Sequence, residues 1–155
     1  MSPWIKVVAW FELWGGIWGI LAAARGLYDH PGPLAAGYLA VTVLACLFFA
    51  ATAFAGYELA RSRPRGWHLS RLLLFLQVAQ FSVAGISYAA YVGAALTAGV
   101  SGWVVQAGGD IGSLFRIRLQ DVDSAFTLSV NFVAVAAIVM LRTKGGPSKG
   151  EASGV

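Results

Sequence analysis

The sequence predicts an all-α membrane protein, a four-transmembrane-helix bundle with a small extracytoplasmic β-hairpin between helices 3 and 4. The first observation is composition: 58% of the 155 residues are hydrophobic and 12% are charged, against about 25% charged residues in soluble domains. The second is the presence of four apolar runs of the length that a bilayer-spanning helix needs. The predicted helices cover residues 4–24, 34–59, 69–96 and 125–141. We assign them to one domain, residues 1–141, followed by a disordered cytoplasmic tail, residues 142–155.

The distribution of charge predicts the orientation of these helices. The net charge of +4 arises from basic residues beside helix ends, above all the four in the second connection, Arg61, Arg63, Arg65 and Arg71. Cytoplasmic loops are enriched in Lys and Arg, and such residues also attract anionic lipid headgroups. We therefore expect a multi-pass protein of the cell membrane, such as a bacterial inner membrane, with both termini cytoplasmic. The expected partner is the lipid bilayer, and we expect no binding to nucleic acid.

Helix 1 carries a carboxylate, Glu12, within an apolar run. At about 100° per residue, the small residues near it on the helix surface are Gly15, Gly16, Gly19 and Ala23. Those on the opposite side are Trp10, Trp14 and Trp18. An intramembrane acid normally faces the protein interior, and small residues allow a neighbouring helix to approach closely. The Glu12 face is thus predicted to lie inside, and the tryptophan face to contact lipid, a second copy or another membrane protein.

A signal peptide is the alternative interpretation of helix 1. Lys6, the apolar run and the alanines at 22–24 resemble its charged, hydrophobic and cleavage regions. The run is longer than the roughly 7 to 15 residues expected of the hydrophobic region, and it contains an acid and bulky tryptophans. We favour a retained helix; cleavage would leave three spans and remove Glu12.

Helices 2, 3 and 4 each carry polar residues at a similar predicted depth to Glu12. Counting about 1.5 Å per residue from the cytoplasmic ends gives one layer that contains Glu12, Thr52, Gln77, Gln80 and Asn131. Buried polar groups require hydrogen-bond partners. The layer is therefore predicted either to hold the bundle together or to form an ion or polar ligand site.

The third connection is predicted to contain a β-hairpin over residues 102–120, with its turn at Gly108 and Gly109. In the second predicted strand, apolar residues from Phe115 to Leu119 alternate with Arg116 and Arg118, which is the period of a strand with one apolar face. Because an isolated hairpin is marginally stable, it should rest on the bundle or on a second subunit. An amphipathic interfacial helix is the alternative.

The sequence offers no set of residues for catalysis or for a metal or other cofactor. Cys46 is the only cysteine, and the two histidines, His30 and His68, fall on opposite sides of the predicted membrane. We therefore expect a non-enzymatic structural or binding subunit with a buried polar layer around Glu12. The alternative is a small oligomeric proton-coupled transporter or channel with Glu12 as the titrating group.

Overall fold

The computed structural model of this chain describes residues 2–29, 35–83, 86–119 and 126–143. Four helices and four strands occur in these ranges. They are α1 (Pro3–Tyr28), α2 (Ala36–Ala60), α3 (Pro64–Val78), β1 (Ala79–Val83), β2 (Ile86–Ser101), β3 (Val104–Leu119), β4 (Thr127–Asn131) and α4 (Phe132–Thr143).

Two of these helices, α1 and α2, are long and apolar enough to cross a membrane. They contain 26 and 25 residues, and a third of the most apolar part of each is buried. Their contacts show that they pack antiparallel. Gly16 and Gly19 of α1 contact Phe49 of α2, whereas Ala9, earlier in α1, contacts Gly56, later in α2. A Cβ atom on Gly16 would lie 2.6 Å from the Phe49 carbonyl oxygen. The small residues therefore allow the two backbones to approach closely.

The predicted all-α four-helix bundle is wrong. Helix α3 ends at Val78 and α4 has 12 residues, while residues 79–83 and 86–101, most of which fall in the predicted third helix, form β1 and β2. The predicted fourth helix is likewise divided, since residues 127–131 form β4. An apolar run does not by itself distinguish a buried helix from a buried strand, and here strand pairing overrides the helical pattern.

The predicted turn of the hairpin at Gly108 and Gly109 is also wrong. These glycines lie inside β3, opposite Thr97 and Leu96 of β2. The observed turn is at Gly102, which adopts a φ of +58°, a conformation that glycine tolerates without steric cost. The partner of β3 is therefore β2, which had been assigned to a membrane helix.

The four antiparallel strands form one sheet in which β3 is the outer strand. Each of β1, β2 and β4 pairs with the other two, so these three strands close on themselves. Strand β2 pairs with β1 near its start and with β4 near its end. Between these segments Gly93 has a φ of +79° and lies against Gly15 of α1. The sheet thus packs against the middle of α1.

The core has two clusters of buried apolar side chains. One lies among α1, α3 and α4 and includes Ile5, Leu74 and Leu141. The other joins α2 to β2 and includes Phe49 and Val92. Of the predicted disordered tail, residues 142 and 143 belong to α4 and the remainder lies outside the described residues.

Candidate functional site

The carboxyl group of Glu12 is buried, with 3% of the residue exposed. Its Oε2 accepts a hydrogen bond of 2.5 Å from the Ser70 hydroxyl, whereas its Oε1 has no hydrogen-bond partner among the described residues. The other buried acid, Glu58, differs, because Arg63 forms a 2.8 Å salt bridge with it. No such basic side chain lies beside Glu12 in the described ranges.

Gln77, in the last turn of α3, is 2% exposed. Its Oε1 accepts a 2.9 Å hydrogen bond from the backbone N–H of Val92 in β2, which fixes the orientation of the amide. The Nε2 atom then has no partner within the described part of the chain. Gln77 is thus a second buried polar group with unused hydrogen-bonding capacity.

Glu12 and Gln77 line the same cavity, which has a volume of about 390 Å³ and which we call the Glu12 cavity. The rest of its lining is apolar and comes from α1, α3, α4 and β2. Its apolar side chains include Trp4, Phe11, Leu74, Val92, Val133 and Met140. Cavities of this size with a few polar groups in an apolar lining are typical of small-molecule sites.

The other residues of the predicted polar layer do not line this cavity. The Thr52 hydroxyl donates to the Phe48 carbonyl of its own helix at 2.8 Å. Asn131 Oδ1 accepts from the backbone N–H of Val133 at 3.1 Å, which is the geometry of a helix N-cap. Gln80 lies on β1 and lines a different cavity. The structure therefore brings together Glu12 and Gln77 and gives Thr52 a local bond. Asn131 Oδ1 also accepts a 3.3 Å hydrogen bond from the backbone N–H of Leu96 in β2.

Sequence reasoning missed Ser70, which had been placed at the start of the predicted third helix. The signal was present in its spacing from Gln77. Residues seven apart lie on the same helix face, so Ser70 and Gln77 share one face of α3. A polar residue at each end of that face was a reason to pair Ser70 with Glu12.

Three of the four arginines that the sequence places in the second connection, Arg61, Arg63 and Arg71, contact other residues of the protein. Arg71 Nη2 donates to the Leu141 carbonyl at 2.8 Å, near the end of α4, and so joins α3 to α4. The Arg61 guanidinium lies 4.5 Å from the centre of the Tyr57 ring, a cation–π contact. Arg65 is exposed. Arg61 and Arg71 thus have structural roles beside any effect on topology or on headgroups.

The tryptophan face of α1 is exposed. Trp10, Trp14 and Trp18 are 53%, 60% and 63% exposed, and the rings of Trp10 and Trp14 stack with 6.2 Å between their centres. A groove of about 470 Å³ separates these rings from β3. Within the described part of the molecule, no other element covers these three tryptophans, so this face is free to contact lipid or another protein.

No protein family model, curated protein or solved structure matches this chain. In the part of the chain that the structure describes, no three His, Cys, Asp or Glu side chains come together as they would to hold a metal ion. The Glu12 cavity is the arrangement with the most evident capacity to bind a molecule.

Proposed function

We propose that this chain is a non-enzymatic integral membrane protein that binds a small apolar amine in the Glu12 cavity. The observation that carries the proposal is the Oε1 atom of Glu12, which is buried and has no hydrogen-bond partner among the described residues. A buried charge is costly unless it is paired and hydrogen-bonded. A ligand ammonium group would supply both the opposite charge and a donor.

The lining of the cavity supports this class of ligand. Trp4 and Phe11 contribute aromatic rings to the lining of the same cavity, and aromatic faces attract cations. The Gln77 Nε2 atom is a donor, so a ligand with one acceptor oxygen near its amine would satisfy both polar groups. The apolar body of such a ligand would occupy the remainder of the cavity.

Location in a membrane is supported by the outer surfaces of α1 and α2. Large apolar side chains are exposed along both helices: Trp4, Phe11, Leu21, Val43, Leu47 and Phe54 are all between 49% and 63% exposed. Soluble monomers rarely expose contiguous apolar patches larger than a few hundred Å². Lipid would cover these side chains without cost. We propose that α1 and α2 cross a cell membrane, with the amino terminus and the second connection in the cytoplasm.

The absence of an enzymatic role is part of the same proposal. Covalent catalysis needs a nucleophile beside a base and a position for the reacting atom next to both. The Glu12 cavity presents one carboxyl, one amide and apolar side chains among its described lining. Ser70, although bonded to Glu12, is fully buried and does not line the cavity.

A second candidate is an oligomeric proton-coupled transporter or channel. It is favoured by one observation, that Glu12 is the only ionisable side chain of the described lining. A proton and a cation would then compete for one carboxyl. Uptake of an amine into proteoliposomes that depends on a proton gradient would support this candidate, and binding without uptake would support the first.

The test uses the purified full chain in phosphatidylcholine nanodiscs. Calorimetric titrations with 3-phenoxypropylamine and with 3-phenoxypropan-1-ol compare two ligands of nearly the same shape, of which only the first is a cation. We expect the amine to bind at least about tenfold more tightly, equivalent to about 1.4 kcal/mol. Equal affinities, or no binding of either, would contradict the proposal.

A further inference from the structure

A second cavity, of about 380 Å³, lies among the four strands, and most of its lining residues are polar. We call it the strand cavity, and its polar lining consists of Gln80, Ser82, Ser87, Arg116, Arg118, Thr127 and Ser129, with Tyr88 beside them. We propose that the strand cavity binds a phosphate group. This proposal does not depend on the function proposed for the Glu12 cavity.

Strand register brings these side chains together. Ser87 of β2 is directly opposite Arg118 of β3, and Gln80 of β1 is directly opposite Ser129 of β4. Opposed residues on antiparallel strands share a face. Because Ser82 pairs with both Ser87 and Thr127, the two pairs belong to one surface. The closure of β1, β2 and β4 on themselves thus gathers polar residues from distant parts of the sequence.

The charge of the strand cavity comes from two arginines. Arg116 and Arg118 are two residues apart on β3, so they lie on the same side of the strand, about 6 to 7 Å apart. Neither forms a salt bridge with any described residue. No acidic side chain is present in the described lining. A guanidinium presents several N–H donors in a planar fork that matches the oxygens of a phosphate.

Two neutral donors add to the arginines. The Gln80 Nε2 and Ser87 Oγ atoms are buried and have no hydrogen-bond partner in the described ranges. Unsatisfied buried polar atoms are uncommon in native proteins. With the two arginines they make four donor groups, and two bidentate guanidinium groups alone would already fill the roughly four acceptor sites of a carboxylate. A phosphate group has enough oxygen atoms for all four.

This phosphate could belong to a lipid headgroup or to a soluble ester. Both present the same oxygens to Arg116 and Arg118, but only the lipid carries acyl chains that need an apolar surface. The two sources are separated by using two probes. Glycerol 3-phosphate tests the soluble ester, and phosphatidylglycerol tests the headgroup.

The experiment compares the wild-type full chain with Arg116→Gln/Arg118→Gln. In nanodiscs of phosphatidylcholine, binding of glycerol 3-phosphate is measured by the broadening of its ³¹P resonance. In detergent micelles, retention of phosphatidylglycerol over phosphatidylcholine is measured by native mass spectrometry. The matched control, Arg65→Gln/Arg142→Gln, removes the same charge from two exposed arginines outside the strand cavity.

We expect the wild type and the control to bind one of the two probes and the Arg116→Gln/Arg118→Gln protein to bind it at least about tenfold more weakly. Binding of glycerol 3-phosphate assigns the site to a soluble ester, and retention of phosphatidylglycerol alone assigns it to a headgroup. The proposal is overturned if neither probe binds. It is also overturned if the control loses as much binding as the strand-cavity variant, because attraction to net charge would then suffice.

Folding is checked separately with Arg116→Lys/Arg118→Lys. This variant keeps both charges but loses the planar forks, so we expect it to fold normally and to bind the phosphate more weakly than the wild type. Wild-type affinity in this variant would contradict recognition by the guanidinium forks.

Discussion

Glu12 and Ser70 lie 58 residues apart in the sequence and are joined by a 2.5 Å hydrogen bond that is buried between α1 and α3. The bond engages one carboxyl oxygen, and the other has no hydrogen-bond partner among the described residues. Glu58, by contrast, pairs with an arginine only five residues away. The two buried acids of the described chain thus have different roles, one in a local salt bridge and one at a cavity.

Removal of the Ser70 hydroxyl should destabilise the protein. In Ser70→Ala the Oε2 atom of Glu12 loses its donor, and an unsatisfied buried acceptor costs about 1 to 3 kcal/mol. Thermal unfolding in detergent measures the loss. The control is Thr52→Val, which removes a hydroxyl bonded within its own helix and should cost less. An unchanged midpoint for Ser70→Ala would show that this bond does not hold α1 to α3.

Two substitutions of Glu12 should differ in their effect on stability, because one removes only the charge and the other removes the whole carboxyl group. Glu12→Gln keeps an acceptor for Ser70 and nearly the same volume, so we expect a small change in the free energy of unfolding. Glu12→Ala removes the acceptor and enlarges the cavity, with an expected cost of about 1 to 3 kcal/mol. Chemical denaturation of both variants tests this order. If Glu12→Ala were as stable as the wild type, burial of the carboxyl would be contradicted.

The contact between α1 and α2 should be sensitive to a single methyl group at Gly16. A Cβ atom there would lie 2.6 Å from backbone atoms of α2, so Gly16→Ala should force the helices apart, at a cost of about 1 to 3 kcal/mol for overpacking. Gly37, near the start of α2, has open space around it. Gly37→Ala is therefore the control and should be neutral or slightly stabilising. Equal stability of the two variants would argue against the observed helix contact.

The proposed orientation is tested by cysteine labelling of intact cells and inverted vesicles. In a Cys46→Ser background, we expect a cysteine at Arg65 to react with an impermeant reagent from the cytoplasmic side. A cysteine at Tyr28, which is 89% exposed at the end of α1, should react from the outside. The reverse pattern would contradict the orientation, and reaction of both from one side would mean that α2, which lies between them, does not cross the membrane.

Some of this structure could be predicted from the sequence because the deciding information was local. The length and apolar character of the first two runs indicated α1 and α2, and the glycines around Glu12 indicated a face for close contact. Gln77 and Gln80 both fall within the predicted third helix, but α3 ends at Val78. Gln80 therefore lies on a strand and lines another cavity.

The strands could not be predicted because their pairing is long-range. The residues from Ile86 to Ser101 have an apolar, alanine-rich sequence that suits a membrane helix, and their partners lie in β1, β3 and β4. The positive φ of Gly93 and its close approach to Gly15 of α1 depend on the same tertiary packing. The hydrophobic periodicity of the sequence carries no information about these tertiary contacts.

The central claim, that Glu12 is the charged recognition group of a ligand cavity, is tested most directly by one ratio. This is the ratio of the affinity for 3-phenoxypropylamine to the affinity for 3-phenoxypropan-1-ol, measured by calorimetry for the wild type and for Glu12→Gln. The control is Glu58→Gln, which alters the acid paired with Arg63. We predict that Glu12→Gln lowers this ratio by about tenfold or more, while Glu58→Gln leaves it unchanged. A ratio that is the same in all three proteins would contradict the claim.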